Sequence, residues 1–174
     1  MKLVIIILSL LLTYCSTSPK ELEGSLYNLT EKGVDQIFGT ITVKSLAKEG
    51  IIIHITATNL TPGNYGFHIH ETNILTPSIH ADGSQMIMGG MAKGHWDPDK
   101  TGIHAGPEGN GHRGDLPQLS VDDNGTINSI ITNKKIQLTD IKGKSFMIHG
   151  NPDNYSDTPL PLGGSGPRMF AAPF

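Results

Sequence analysis

The sequence predicts an antiparallel all-β fold, either a sandwich or a barrel, and three observations support this class. Apolar and polar residues alternate in short runs, as at Ile51, Ile53 and Ile55, which is the period of a strand with one buried face. Turn residues separate the runs, for example TPGN at 61–64 and DNG at 123–125. Beyond the first residues, no window has the period of an amphipathic helix, so the class is all-β.

The predicted strands follow one another in chain order. They are QIFGTITVKS (36–45), GIIIHITATNL (50–60), YGFHIHE (65–71), QLSVD (118–122), GTINSIIT (125–132) and KSFMIHG (144–150). Two long segments interrupt them, residues 72–117 and 150–167, which we call the first loop and the second loop. Loops of this length inside a compact domain are normally functional or disordered, and histidines flank both of these.

Length and charge limit the kind of protein. The 174 residues fit one globular domain, predicted over residues 25–174. The net charge of −3 and the absence of a Lys/Arg run argue against a nucleic-acid partner, because phosphate binding needs a basic surface.

The amino-terminal segment is predicted to direct export. Residues 1–14 combine Lys2 with an apolar run too short to span a bilayer, which is typical of a signal peptide. Cys15 follows directly, as in a bacterial lipoprotein signal, and would anchor the chain through a lipid with 15–24 as a polar tether. Tyr14 departs from the small residue usual at that position, so conventional cleavage to a secreted form is the alternative. Cys15 is also the only cysteine, which leaves no intramolecular disulfide.

Three histidines are predicted to stand on one face of the strands. In YGFHIH the alternation points Phe67 and Ile69 inward and His68 and His70 together to the other face, where they can chelate one ion. The same alternation in SFMIHG turns His149 outward. These three side chains form an all-imidazole group suited to copper. By contrast, His54 and His80 are interpreted as ordinary surface residues.

The first loop contains a second set of metal-ligand residues. It has the pattern H-x8-H-x7-H-x2-D within a glycine-rich stretch. The pattern comprises His95, His104, His112 and Asp115. Three imidazoles and a carboxylate satisfy tetrahedral zinc, and the glycines allow the backbone to wrap tightly around the ion.

Taken together, these motifs resemble the copper/zinc superoxide dismutases of the bacterial periplasmic type. GFHIH, GHWDP, GIHAGPEGNGHRGDLP, MIHG and PLGGSGPRM occur in the family's order over most of residues 25–172. The resemblance implies a flattened eight-stranded antiparallel Greek-key barrel, an immunoglobulin-like sandwich with two long functional loops. It also implies dismutation of superoxide to O2 and hydrogen peroxide, one copper and one zinc per subunit, a monomer or homodimer, and a place in the periplasm or cell envelope.

The resemblance also assigns the ligands. It implies copper on His68, His70, His95 and His149, and zinc on His95, His104, His112 and Asp115. His95 then bridges the metals and takes part in catalysis by leaving copper and carrying a proton, while copper carries the electrons. Asp153 would accept hydrogen bonds from His68 and His104, and Arg168 would attract the superoxide anion beside copper.

Two features leave alternatives open. The family's disulfide between the first loop and the last strand is missing, since Ala171 occupies the later cysteine position. An exported copper/zinc storage or delivery protein with little or no catalysis is therefore the alternative function. A zinc hydrolase is disfavoured, because four protein ligands leave no open zinc position. Apolar residues of the first loop either cover the core, the favoured interpretation, or form a subunit contact: Ile74, Leu75, Met86, Ile87 and Met88.

Overall fold

The computed structural model describes residues 21–174, in which β-strands and loops account for almost the whole chain. The strands are β1 (Glu21–Thr30), β2 (Gly33–Ser45), β3 (Ile51–Ala57), β4 (Gly63–Tyr65), β5 (Phe67–His70), β6 (Ser78–Ile79), β7 (Met86–Ile87), β8 (Leu119–Val121), β9 (Ile127–Asn133), β10 (Ser145–His149) and β11 (Arg168–Pro173). Three single-turn 3-10 helices cover Gly90–Ala92, Leu138–Asp140 and Leu162–Gly164. None of the described helices is long and apolar enough to cross a bilayer.

The amino-terminal boundary of the fold lies earlier than the sequence suggests. The predicted signal peptide (1–14) and Cys15 lie outside the described residues. Residues 21–24, assigned to the tether, lie in β1 instead, because their backbone pairs with β2 from Glu21 opposite Lys44 to Gly24 opposite Ile41. Leu22 also packs against the main core. The prediction from polar composition therefore extended the tether too far, to residue 24, whereas β1 already begins at Glu21.

The strands form one curled antiparallel sheet. Seven are hydrogen-bonded in the order β5-β10-β11-β1-β2-β3-β9. The edges of this sheet are β5 and β9. β4 precedes β5 and is separated from it by Gly66, and β8 precedes β9 and is separated from it by a short turn. Because β4 pairs with β8, this pair lies between the two edges of the seven-stranded sheet. Counting β4 and β5 as one interrupted strand gives eight barrel strands, and the β6–β7 hairpin belongs to the first loop. The predicted Greek-key barrel is confirmed.

The main core lies on the inner face of this barrel. Phe67 and Ile69 of β5 are fully buried in it, together with Phe146 and Ile148 of β10, as the alternation predicts. The neighbouring residues of both strands face the other side of the sheet. Alternation thus fixes which face receives the histidines.

A smaller apolar cluster lies on the outer face of β10 and β11, and we call it the outer cluster. Met147 and Ala171 are opposite each other in the register of these strands. The outer cluster consists of Leu29, Leu75, Ala92, Met147 and Ala171, with Met88 partly buried against it. It therefore attaches the first loop to the sheet at Ala171, where the family resemblance implies a cysteine.

The outer cluster is large enough to matter for stability. Burying a Leu or Met side chain contributes about 1.5–3 kcal/mol. A disulfide typically contributes about 2–5 kcal/mol, so a few such side chains offset its loss. Of the apolar loop residues, Leu75 and Met88 join this cluster as the favoured interpretation requires, whereas Ile74 and Met86 are exposed.

Candidate metal centre

The outer face of β5 and β10 carries three buried histidines. His68 and His70 alternate with the two core residues of β5, and His149 ends β10. The strands are paired with Met147 opposite His68 and Ser145 opposite His70. All three imidazoles are at most 6% exposed, because the loops cover them. The predicted outward histidines are therefore brought together.

The first loop pairs with the free edge of β5. The N–H of Ile69 donates to the carbonyl of Gly114 (2.8 Å), and the N–H of Trp96 donates to that of Ile69 (2.7 Å). These bonds set His95 beside His70 and Asp115 beside His68. Gly114 is required here, since a Cβ at this position would lie 2.3 Å from the Ile69 carbonyl oxygen. Backbone pairing thus delivers the loop ligands to the strand histidines.

Four imidazoles form what we call the first ligand group. One atom from each of His68, His70, His95 and His149 lies within 4.8 Å of the others. His70 Nε2 and His149 Nε2 face each other at 3.3 Å. The rings of His68 and His95 are stacked with their centroids 3.8 Å apart. Such a set of converging imidazole nitrogens is a donor set that copper favours.

The outer nitrogens of these rings are held by hydrogen bonds. His70 Nδ1 donates to the Lys93 carbonyl (2.8 Å), and His149 Nδ1 donates to the Gly166 carbonyl (3.1 Å). His68 Nε2 donates to Asp153 Oδ2 (2.7 Å). A proton fixed on the outer nitrogen leaves the inner nitrogen of each ring free to bind metal.

Next to it lies the second ligand group, which shares His68 and His95 with the first. Ligand atoms of His68, His95, His104 and Asp115 lie within 4.8 Å of one another. His95 Nδ1 is 3.0 Å from Asp115 Oδ1, and His104 Nδ1 is 3.1 Å from Asp115 Oδ2. His112, expected from the sequence at this position, approaches the same carboxylate with Nδ1 at 3.4 Å from Oδ1. A carboxylate among imidazoles is a donor set suited to zinc.

The buried nitrogens fit bound metal. Nδ1 of His68, of His104 and of His112 is buried without a hydrogen-bond partner among the described residues. An unpaired buried polar atom is costly, so its repeated presence in one place indicates a missing ligand. Metal ions at the two groups would satisfy all three atoms.

Asp153 of the second loop links the two groups. Its Oδ2 accepts from His68, and its Oδ1 accepts from His104 Nε2 at 2.9 Å. Gly163 makes room for it: a Cβ there would lie 1.8 Å from Asp153 Oδ1, and its φ of +70° favours glycine. The carboxylate therefore orients one ring in each group.

Burial controls the protonation of the rings. It lowers the pKa of His70 and of His149 well below the ordinary value and that of His95 to about 4. Burial also acts on His104, but the nearby carboxylate of Asp115 and the hydrogen bond that His104 donates to Asp153 outweigh it and raise the pKa to about 9. The imidazoles of the first ligand group are therefore neutral and ready to bind a metal ion. His104, by contrast, must release a proton when it binds one.

Arg168 stands beside the first ligand group. It is opposite His149 in the pairing of β10 with β11. Its guanidinium donates to the carbonyl of Gly89 (2.6 Å) and to that of Lys93. Burial lowers the pKa of Arg168 to about 10, so it remains a cation at neutral pH. Gly89 and Lys93 were not expected from the sequence, since a backbone acceptor leaves no residue-type signal.

A cleft opens onto His95 and His149. It has a volume of about 340 Å³ and is lined by Asn151, by residues 160–162 and by residues 164–166 of the second loop. A small molecule can thus reach the first ligand group from solvent.

The two remaining histidines lie elsewhere: His54 contacts Asn128 across β3 and β9, and His80 pairs with Asp82 at an exposed turn.

Comparison with known proteins agrees with this geometry. The sequence profile of the copper/zinc superoxide dismutases matches residues 37–173. The chain is 39% identical over 145 residues to a Cu-Zn superoxide dismutase of Brucella abortus, covering 83% of this chain and 82% of the relative. It is 41% identical over 141 residues to that of Escherichia coli K12, covering 80% of each.

Solved structures also match. The Brucella abortus Cu/Zn superoxide dismutase superposes with a TM-score of 0.82 at 35% identity, covering 87% of this chain and 97% of the other. The solution structure of the monomeric enzyme from Salmonella enterica gives 0.76 at 38% identity, covering 88% and 98%.

The fold and the site define an all-β metalloprotein with two adjacent ligand groups that share two histidines. The chain belongs to the copper/zinc superoxide dismutase family. Copper and zinc are the metals of this family, and the two donor sets suit them.

Replacing Asp153 by Asn is expected to weaken binding of both metals. An amide cannot accept from two imidazole N–H groups as the carboxylate does, and losing such a partner typically costs 10- to 100-fold in metal affinity, about that range being expected here. Competition with a chelator measures both affinities. Asp122→Asn, whose carboxylate accepts from backbone N–H groups of the exposed turn before β9, is the matched control. Equal affinities in wild type and Asp153→Asn would contradict the linking role.

Proposed function

We propose that this chain dismutes superoxide to O2 and hydrogen peroxide at a copper/zinc site. The observation that carries the proposal is the position of His95 between the two ligand groups, with Nδ1 directed at Asp115 and the ring stacked on His68. His68 is also common to both groups, but its Nε2 is already bonded to Asp153. One ring placed between two donor sets of different chemistry is what a bridged copper/zinc pair requires.

We assign copper to His68, His70, His95 and His149, and zinc to His95, His104, His112 and Asp115. The all-imidazole composition and fixed outer nitrogens of the first group support the copper assignment. The carboxylate and the unpaired Nδ1 atoms of His104 and His112 support the zinc assignment. When bound, copper supplies one-electron redox chemistry, whereas zinc has none.

The chain's own residues bind the anion and move a proton. Arg168 is a half-buried cation opposite His149, and His149 lines a cleft through which a small anion can enter. His95 is held on its Nδ1 side by Asp115, and its low pKa means that its ring gives up a proton readily. Both properties suit delivery of a proton to the peroxide product.

Activity of the metal-loaded protein tests the proposal. Protein reconstituted with one copper and one zinc, as verified by metal analysis, is expected to remove superoxide far faster than protein loaded with zinc alone. A fully loaded protein without dismutase activity would contradict the function and favour metal storage or delivery.

Replacing Arg168 by Ala is expected to lower the second-order rate with superoxide by about tenfold or more at low ionic strength, because the fixed local cation is lost. Arg168→Lys is expected to be faster than Arg168→Ala but slower than wild type. Lysine restores the positive charge but cannot reproduce the two-pronged hydrogen bonding of the guanidinium group. Stopped-flow decay of superoxide measures both. Storage does not need this arginine, so an unchanged rate in Arg168→Ala would remove its catalytic role.

We further propose export to the periplasm or cell envelope, with the mature chain anchored by lipid at Cys15. The short apolar run before this cysteine supports the proposal. Mass spectrometry of the mature amino terminus distinguishes a lipid-modified Cys15 from a secreted form, and sedimentation distinguishes monomer from homodimer.

A further inference from the structure

The side chain of Tyr155, in the second loop, reaches the part of the chain that carries the second ligand group. Its phenolic oxygen accepts a hydrogen bond from the N–H of Gln118 (3.0 Å), three residues after Asp115. The base of its ring lies against Gly106, two residues after His104, since a Cβ on Gly106 would stand 2.6 Å from Tyr155 Cβ and 2.8 Å from its Cγ. One side chain is thus held at two points that lie on either side of Asp115 along the chain.

The main chain of Tyr155 contacts the carboxylate that links the two ligand groups. Its N–H donates to Asp153 Oδ1 at 2.8 Å, and the same oxygen accepts from His104 Nε2. The other oxygen, Oδ2, accepts from His68 Nε2. Of these three hydrogen bonds, the one from Tyr155 is the one that does not come from a ligand ring. The position of residue 155 therefore bears on the direction in which the carboxylate points.

The backbone of Tyr155 does not favour this arrangement by itself. Its φ of +59° lies in the left-handed region, which glycine and asparagine adopt more readily than an aromatic residue. Such a conformation persists only where surrounding contacts hold it. The residue is still 36% exposed, so burial of the ring is incomplete, and the contacts with Gly106 and Gln118 hold it in place. The side chain of Tyr155 therefore fixes the position of its own N–H.

We propose that Tyr155 is a positioning residue, whose side chain holds Asp153 where it orients His68 and His104. Tyr155 is not itself a member of either ligand group, so it acts on the metals through Asp153. Because that carboxylate contacts one ring of each group, a single tyrosine bears on the affinities for both metals. This inference rests on the proposed copper and zinc assignment and adds to it a residue on which both affinities depend.

Two substitutions separate the ring of Tyr155 from its hydroxyl. Tyr155→Asn removes the ring but keeps a residue that tolerates positive φ, and both metal affinities are expected to fall about tenfold, the lower end of the loss for a missing ligand partner. Tyr155→Phe keeps the packed ring but loses the bond from Gln118, so a fall of about threefold is expected, as for one neutral hydrogen bond. Competition with a chelator, for zinc and for copper in turn, measures both.

A double-mutant cycle with Asp153→Ala distinguishes positioning from general support of the fold. If Tyr155 acts through the carboxylate, adding Tyr155→Asn to Asp153→Ala lowers the affinities by less than about twofold further. Equal losses with and without Asp153 would overturn the proposal, because a tyrosine that only stabilises the loop acts regardless of the carboxylate. Tyr155→Phe, which retains the packing against Gly106, supplies the same cycle if Tyr155→Asn does not fold.

Tyr65→Phe is the matched control. The Tyr65 hydroxyl donates to the Thr61 carbonyl (2.9 Å), a local contact beside β4 that does not involve Asp153. Both affinities are expected to stay unchanged. Wild-type affinities in both Tyr155 variants would contradict the positioning role, as would an equal loss in Tyr65→Phe. If the wild-type chain fails to bind copper and zinc, the metal assignment fails and this inference with it; if it binds both and the Tyr155 variants bind them equally well, only the role of Tyr155 fails.

Discussion

His149→Ala abolishes superoxide removal by the copper- and zinc-supplied chain, with an expected loss well above 100-fold. The substitution deletes a ring whose Nε2 faces His70 Nε2 at 3.3 Å, at the centre of the first ligand group. Losing a residue that only supports a ligand typically costs about 10- to 100-fold, so losing the ligand itself costs more. Stopped-flow decay of superoxide and copper analysis of the same sample measure the effect.

The control for this variant is His54→Ala. His54 lies on β3, contacts Asn128 and belongs to neither ligand group. It is expected to keep full activity and both metals. A His149→Ala protein that retained copper and wild-type rates would show that the copper assignment is wrong.

Removing zinc is expected to cause the largest loss of stability. In the metal-free chain, Nδ1 of His104 and Nδ1 of His112 remain buried without a hydrogen-bond partner among the described residues. Zinc present at a thousand times its dissociation constant adds about 4 kcal/mol to the free energy of unfolding. At about 2–4 °C for each kcal/mol in a domain of this size, the melting temperature falls by roughly 8–16 °C on removal.

Calorimetry with and without a zinc chelator measures this shift, and re-addition of zinc is expected to reverse it. Asp115→Ala supplies the control, because a chain that lacks the carboxylate of the second ligand group should gain little stability from zinc. Should the chelator leave the wild-type melting temperature unchanged, zinc would have no part in holding the first loop.

Much of the site could be predicted from residue type and spacing. Alternation along β5 predicted that His68 and His70 share a face, and the barrel confirms it, because Phe67 and Ile69 are buried on the other side. The glycine-rich spacing around His104 and Asp115 predicted a tight loop, and the two residues do meet. Such patterns can be recognised in the sequence, because the position of a residue in the strand period determines the face on which its side chain lies.

Other parts depended on tertiary contacts that leave no local signal. β1 begins at Glu21 in a segment rich in charge, since pairing with β2 outweighs composition. The carbonyl groups of Gly89, Lys93 and Gly166 orient Arg168 and two histidines, yet a carbonyl is the same in every residue. The place of Leu75 in the outer cluster could be predicted only by knowing which loop covers which strand.

The outer cluster has a consequence for how this chain matures. A disulfide at Ala171 would form only after an oxidant had acted on two thiols, whereas apolar contacts form during collapse of the chain itself. The sequence has one cysteine, at position 15, so no such step exists within the chain. We therefore expect assembly of the first loop and placement of Arg168 to be independent of the redox state of the surroundings, so that thiol reductants leave both unchanged.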